Sequence, residues 1–294
     1  MTASTLSGLA YRQVDVFADQ VLGGNGLTVF FDADRLDAAL MQALTCEMRQ
    51  FESIFLFAGS TPNAVRAHIF TMEEELDFAG HPVLGAAAAL HDRLDGYGER
   101  DWILELNAKE VPVRTRRVRH GQGAYEASMD QGIAELGPML QPDVADRFLA
   151  AMGLTHADLE PGLLPQVVST GLPYLILPVA QGLERARVAH PTLEPLLAEI
   201  GAKFAYVLDV PALEGRTWDN AGLVEDIATG SAAGPVGAFL VAHGRARSGQ
   251  EIVLSQGRFT GRRATLRVEA AQEDQDLRVR VSGQVHMAAS GVFD

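Results

Sequence analysis

The chain has 294 residues, of which 47% are hydrophobic and 21% charged, and its net charge is −14. That length and composition suit a globular protein of about two domains with a sizeable core. The negative balance disfavours nucleic acid or an anionic membrane as a partner. The single cysteine, Cys46, excludes an internal disulfide framework, a multi-cysteine metal site and a two-thiol proton-transfer pair within one chain. The opening residues carry no basic segment ahead of an apolar stretch, and no apolar run approaches membrane-span length, so the expectation is a cytoplasmic protein.

Residues 11–17 read as a strand, and Gly23-Gly-Asn-Gly26 as a tight turn into a second apolar strand over 27–31. A capped helix over 37–48 leads to strands over 53–58 and 64–70 and an acidic turn at 73–75. Phe78-Ala-Gly-His-Pro-Val-Leu-Gly-Ala-Ala-Ala-Ala-Leu90 then reads as a helix that is small and apolar on every side, and such a helix has to be buried. Strands follow over 102–106, 111–118 and 124–129, with Arg114, Arg116, Arg117 and Arg119 alternating as charges of an exposed strand face. Residues 132–143, with Pro138 and Pro142, read as an interdomain linker.

Past that point come a helix over 144–152, a strand over 167–170, a helix over 192–200 and a strand over 204–210. Asp226-Ile-Ala-Thr-Gly-Ser-Ala-Ala-Gly-Pro-Val-Gly-Ala-Phe-Leu-Val241 is the second helix that is apolar all round. Strands over 251–255, 263–270 and 277–282 and a closing segment over 285–293 complete the chain.

The two halves run through the same order of elements. Gly80 recurs as Gly230 and Val14 as Val168 at nearly one step, about half a chain apart. The expectation is therefore an α+β protein of two pseudo-symmetric domains, residues 1–131 and 132–294, each a strongly curved mixed or antiparallel sheet around one apolar helix. The last strand is a candidate to return to the first domain. The N-terminus of a buried helix, with free N–H groups and the positive end of the dipole, is a seat for an anion. Two of them point to two half-sites for one small anionic metabolite, with the seam between lobes as the expected place.

Candidate chemistry narrows quickly. Gly23-Gly-Asn-Gly26 lacks the dinucleotide spacing, Gly230-Ser-Ala-Ala-Gly234 lacks the lysine of a phosphate-binding loop, and the eight histidines show no metal-binding spacing. No nucleotide, metal or other cofactor is expected. Ser231 lacks the flanking glycines of a nucleophile elbow and reads as a helix cap. His81 and Asp226 hold related places at the two helix starts, which lifts them above ordinary capping or core residues. Glu52 joins the first helix to the strand over 53–58; a half-buried carboxyl there, its pKa raised by desolvation, can accept and return a proton near neutral pH.

Taken jointly, several motifs resemble the PhzF family of phenazine-biosynthesis-like isomerases, which shares the diaminopimelate epimerase fold. They are Val14-Asp-Val-Phe17, Gly24-Asn25, Glu52-Ser53, Phe78-Ala-Gly-His-Pro82, Ser169-Thr-Gly171, Glu225-Asp-Ile-Ala-Thr-Gly-Ser-Ala232 and Gln256-Gly257-Arg258. The resemblance runs nearly end to end. It implies a cofactor-free homodimer with its site between two similar domains. By match of motif it implies Glu52 as the proton carrier, His81 and Asp226 as its catalytic companions, and Asn25, Gly80, Gly230 and Ser231 as substrate-binding positions. Cys46, six residues before Glu52, is expected to be a packed helix residue. Two further readings stay open: a catalytically silent metabolite-binding protein on the same fold, and an amino-acid racemase or epimerase working with a single base.

Overall fold

The computed structural model describes residues 5–94, 97–118 and 123–294; Arg119 of the arginine run lies outside them. The chain divides into two compact units, residues 1–130 with 282–294, and residues 131–281. Each is an α+β layer of mixed sheet with one helix buried over most of its length.

The first unit contains β1 (Ala10–Val16), β2 (Asn25–Phe30), α1 (Ala38–Met48), β3 (Glu52–Ala58), β4 (Ala64–Phe70), the short β5 (Glu75–Leu76), α2 (Gly80–Arg93), β6 (Glu99–Glu105), β7 (Glu110–Arg117) and β8 (Ala124–Ile133), whose last residues enter the second unit. The second unit continues through β9 (Glu135–Met139), α3 (Pro142–Ala151), β10 (Gln166–Ser169), β11 (Pro173–Val179), α4 (Leu193–Ala198), β12 (Phe204–Asp209), β13 (Glu214–Thr217), α5 (Gly230–Ala242), β14 (Glu251–Gln256) and β15 (Ala264–Glu273). The final strand, β16 (Asp276–Val292), starts in the second unit and ends in the first.

In the first unit the strand order is β1-β2-β3-β4-β6-β7-β8-β16, and β16 pairs again with β1, so this sheet closes on itself. Phe30, Phe55 and Phe70 face outward against α1, where they meet Leu40, Met41 and Leu44. Strand alternation then turns Asn25, Leu27, Glu52 and Ile54 to the opposite face. There α2 lies, buried from Gly80 to Ala89. Gly85 lets it sit close: a Cβ at that position would lie 2.5 Å from the Leu27 side chain.

The second unit repeats the scheme, in the order β16-β15-β14-β13-β12-β11-β10-β9. Leu175, Leu177, Val179, Ala205 and Val207 pack against α3 and α4, which turns Tyr174, Ile176 and Tyr206 to the other face. Helix α5 is buried from Gly230 to Leu240. In both units a parallel pair lies beside the helix, β2 with β3 and β11 with β12.

Three expectations need correction. Residues 132–143 are not a linker: β8 runs to Ile133, and β9 pairs with β10 through Met139 and Leu136. Pro138 is tolerated because β9 is the last strand of its sheet and owes no N–H to a further neighbour. The final two segments are one continuous strand that runs through Gly283, where a Cβ would lie 2.4 Å from the Phe17 ring. Cys46 is exposed, on the face of α1 turned away from Leu40, Met41 and Leu44.

Candidate active site

Glu52 is the first residue of β3, level with Leu27 of the parallel strand β2, and only 6% exposed. Its face looks at the start of α2. The helix begins at Gly80, so Pro82 occupies the third helical position, still within the first turn where its missing N–H leaves no gap in the ladder. His81 is the second residue and 3% exposed. Its Nδ1 lies 3.6 Å from Glu52 Oε2 and 3.4 Å from Nδ2 of the fully buried Asn25, the first residue of β2.

On distance alone His81 and Glu52 would pass for an ion pair. Burial, however, drives the imidazole pKa down to about 3, so His81 is neutral at physiological pH. With the Asn25 amide donating to Nδ1, the proton sits on Nε2. That Nε2 has no hydrogen-bond partner among the described residues. A neutral imidazole thus stands beside a buried carboxyl. The N-cap, Ala79, has no side chain with which to cap the helix.

The second cluster belongs to α5. Its N-cap, Thr229, makes no capping bond; the hydroxyl instead donates to Asp226 Oδ2 at 2.6 Å. Asp226 is 7% exposed, and its Oδ1 also accepts from Ala228 N at 3.3 Å. Gly230 opens the helix and its carbonyl accepts from Gln131 Nε2 at 2.9 Å. A Cβ at Gly234 would lie 1.9 Å from Gln131 Oε1, which explains the glycine one turn further on. Ser231 is the second helical residue, not the cap, and its Oγ is 2.7 Å from the hydroxyl of Tyr174.

The segment entering this cluster is tethered. Glu225 takes two bonds from Arg216, at 2.9 and 2.6 Å. The same guanidinium donates to the carbonyls of Leu183, Glu184 and Ala186 and is covered by the rings of Trp218 and Phe259. A buried cation so fully paired is an anchor, and it fixes the residue immediately before Asp226.

The structure therefore brings Asn25, Glu52, Gly80 and His81 together at one helix start, and Asp226, Gly230 and Ser231 at the other. Sequence reasoning did not single out Tyr174, Tyr206, Thr229 or Arg216, which frame the second. Aromatic residues in apolar strands read as core, and only matching the strand register between the two halves would have marked them. Elsewhere, the arginines of β7 and β15 are strand-face charges: Arg114 pairs with Asp101 at 2.7 Å and Arg267 with Glu251 at 2.7 Å. No group of metal-ligating side chains and no helix long and apolar enough to cross a membrane occurs among the described residues.

Comparison with known proteins places the chain in a family. The profile of the phenazine biosynthesis-like family PhzC-PhzF matches residues 14–291. The trans-2,3-dihydro-3-hydroxyanthranilate isomerase of Pseudomonas chlororaphis is 34% identical over 283 residues, covering 93% of this chain and 95% of the relative. Among solved structures, a predicted epimerase of Pseudomonas aeruginosa is 52% identical, with a TM-score of 0.91 over 97% of this chain and 98% of that one. A hydroxyproline epimerase of Agrobacterium vitis shares the fold alone, at 13% identity and a TM-score of 0.66 over 96% and 91% of the two chains. The fold is thus the epimerase-type α+β architecture, and the chain belongs to the phenazine biosynthesis-like PhzC-PhzF family of isomerases.

Proposed function

We propose that this isomerase moves a proton on a small carboxylate-bearing metabolite, with Glu52 as general acid and base. The observation that carries the proposal is the first cluster. A carboxyl 6% exposed lies 3.6 Å from a neutral imidazole whose Nε2 has no hydrogen-bond partner among the described residues, at a buried helix start with no side-chain cap. Glu52 takes a proton from a carbon next to an electron-withdrawing group and returns it to another carbon, a step worth about 10²–10⁴-fold in rate. His81 donates from Nε2 to charge that builds up on the substrate. N–H groups at Gly80 and His81, and in the second unit at Gly230 and Ser231, hold carboxylate oxygens at about 0.3–2 kcal/mol each, enough to orient and not to catalyse. In the second unit Asp226 accepts from a hydroxyl or amine of the ligand held at that helix start. Local capture of this kind is needed because the protein as a whole repels anions.

The test is incubation in D₂O with trans-2,3-dihydro-3-hydroxyanthranilate, the compound named for the Pseudomonas relatives, and with amino and cyclic hydroxy acids, read by NMR. Label uptake with a moved double bond is expected for the wild type. Glu52→Gln is expected to stay folded, bind the substrate and take up no label; normal exchange in that variant would remove Glu52 from the role. Binding without uptake by the wild type would identify a metabolite-binding protein, and uptake with inversion at one carbon a racemase.

A further inference from the structure

Gln256 ends β14 with 1% of its surface exposed, and all of its side-chain hydrogen-bonding capacity is spent on one loop and one strand. Its Oε1 accepts from the backbone N–H of Thr229 at 3.2 Å and from the hydroxyl of Tyr206 at 3.2 Å. Its Nε2 donates to the carbonyl of Asp226 at 2.9 Å and to Thr229 Oγ1 at 2.9 Å. The orientation of the amide is fixed by these partners, because a backbone N–H can only donate and a backbone carbonyl can only accept.

That orientation sets the direction of the next bond. Thr229 Oγ1 has one hydrogen. Since it accepts from Gln256, its own hydrogen is directed to Asp226 Oδ2, 2.6 Å away. The hydroxyl is thereby withdrawn from capping α5, although it stands at the N-cap. The next residue reads the same loop by having no side chain: at Gly257, with φ of 81°, a Cβ would lie 2.8 Å from the carbonyl of Ile227.

We propose that Gln256 is a positioning residue for Asp226, acting through the hydroxyl of Thr229 to fix the direction of the carboxylate. The inference rests on the reading that Asp226 takes part in the reaction. Gln256 touches no substrate in this scheme. It holds Oδ2 of Asp226 turned while Ala228 N holds Oδ1, so that the carboxylate keeps a single orientation.

The experiment compares wild type, Asp226→Asn, Gln256→Glu, Thr229→Val and Thr229→Ser in the deuterium-incorporation assay, with kcat and KM resolved and folding checked by circular dichroism. Gln256→Glu keeps the size of the side chain but gives Thr229 a carboxylate to donate to, so its hydrogen leaves Asp226. The expected result is a loss in kcat of about ten-fold or more, with KM little changed, in Gln256→Glu and Thr229→Val. Thr229→Ser is expected to retain wild-type kcat. Wild-type kcat in Gln256→Glu and Thr229→Val, with Asp226→Asn inactive, would overturn the positioning role and leave Asp226 in place. Full activity in Asp226→Asn would overturn both. Equal damage from Thr229→Ser and Thr229→Val would show a packing role and overturn the proposal. A readout independent of any substrate is the carboxyl carbon resonance of Asp226, identified by its loss in Asp226→Asn. It is expected to move in Gln256→Glu and Thr229→Val and to stay in Thr229→Ser; an unmoved resonance in all three would sink the inference.

Discussion

In the first unit Glu52 stands on β3 beside Leu27 of its parallel neighbour; in the second unit Tyr206 stands on β12 beside Ile176 of its own. Both face the buried helix of their unit, both helices open on a glycine, and neither N-cap makes a side-chain capping bond. At the second helical residue His81 meets Asn25, where Ser231 meets Tyr174. The frame is duplicated while the ionisable group on it is not. Burial, with Asp226 and Glu214 nearby, pushes the Tyr206 phenol well above its ordinary range, so it stays a hydroxyl and donates to Gln256. Among the described residues, only the first unit carries a carboxyl at that place.

The sharpest way to break this comparison is to remove the polar group's function at both positions. Glu52→Gln is expected to lose about 10²–10⁴-fold in exchange, and Tyr206→Phe far less. Comparable losses measured in the D₂O assay would make the two positions chemically equivalent and end the asymmetry.

A second contrast is acid sensitivity. An imidazole with a native pKa of about 3 and an unfolded value of 6.5 takes up its proton only on unfolding over the interval between them. Its contribution to stability is complete above pH 6.5 and declines as pH falls, by about 1.4 kcal/mol per unit. Ser231, at the matching place, has no such dependence. Denaturant unfolding of wild type and His81→Asn between pH 7 and pH 5 is expected to converge as pH falls; parallel curves would show that His81 is not the source.

Glycine packing gives a smaller effect. A Cβ at Gly237 would lie 2.3 Å from the Val268 side chain, whereas at Gly85 the nearest atom is the flexible tip of Leu27 at 2.5 Å. Gly237→Ala is expected to destabilise by about 1–3 kcal/mol through overpacking. Gly85→Ala is expected to cost less, because Leu27 can move and alanine favours the helix. Thermal unfolding that ranks them the other way would show α2 to be the more tightly seated helix. Smallest is the stability effect of Tyr206→Phe, the loss of one bond to Gln256, about 0.5–1.5 kcal/mol by denaturant titration.

Much of this organisation was legible in the chain. Two stretches of glycine and alanine with no polar face could only be buried helices, and the order of elements around them repeats. Glu52, His81 and Asn25 form one buried cluster, as do Asp226, Gly230 and Ser231. The strand β11, with Pro173 and Pro178 in its apolar run, was not among the expected elements; it is held between β10 and β12. Likewise β9 was hidden by Gly137 and Pro138, since sequence alone does not say which strand will lie at an edge. The network of Gln256, Thr229 and Tyr206 links residues far apart in sequence, and no spacing rule connects them.

The long strand β16 has a consequence for how the molecule is made. Residues 285–292 supply the partner of β1, the first strand of the chain. On the ribosome, β1 must therefore wait, with that edge unsatisfied, until the whole of residues 131–281 has been translated. The half that carries Glu52 is begun first and finished last, so a truncated translation product ending before residue 285 contains every residue of the Glu52 cluster but not the strand that closes the barrel around it.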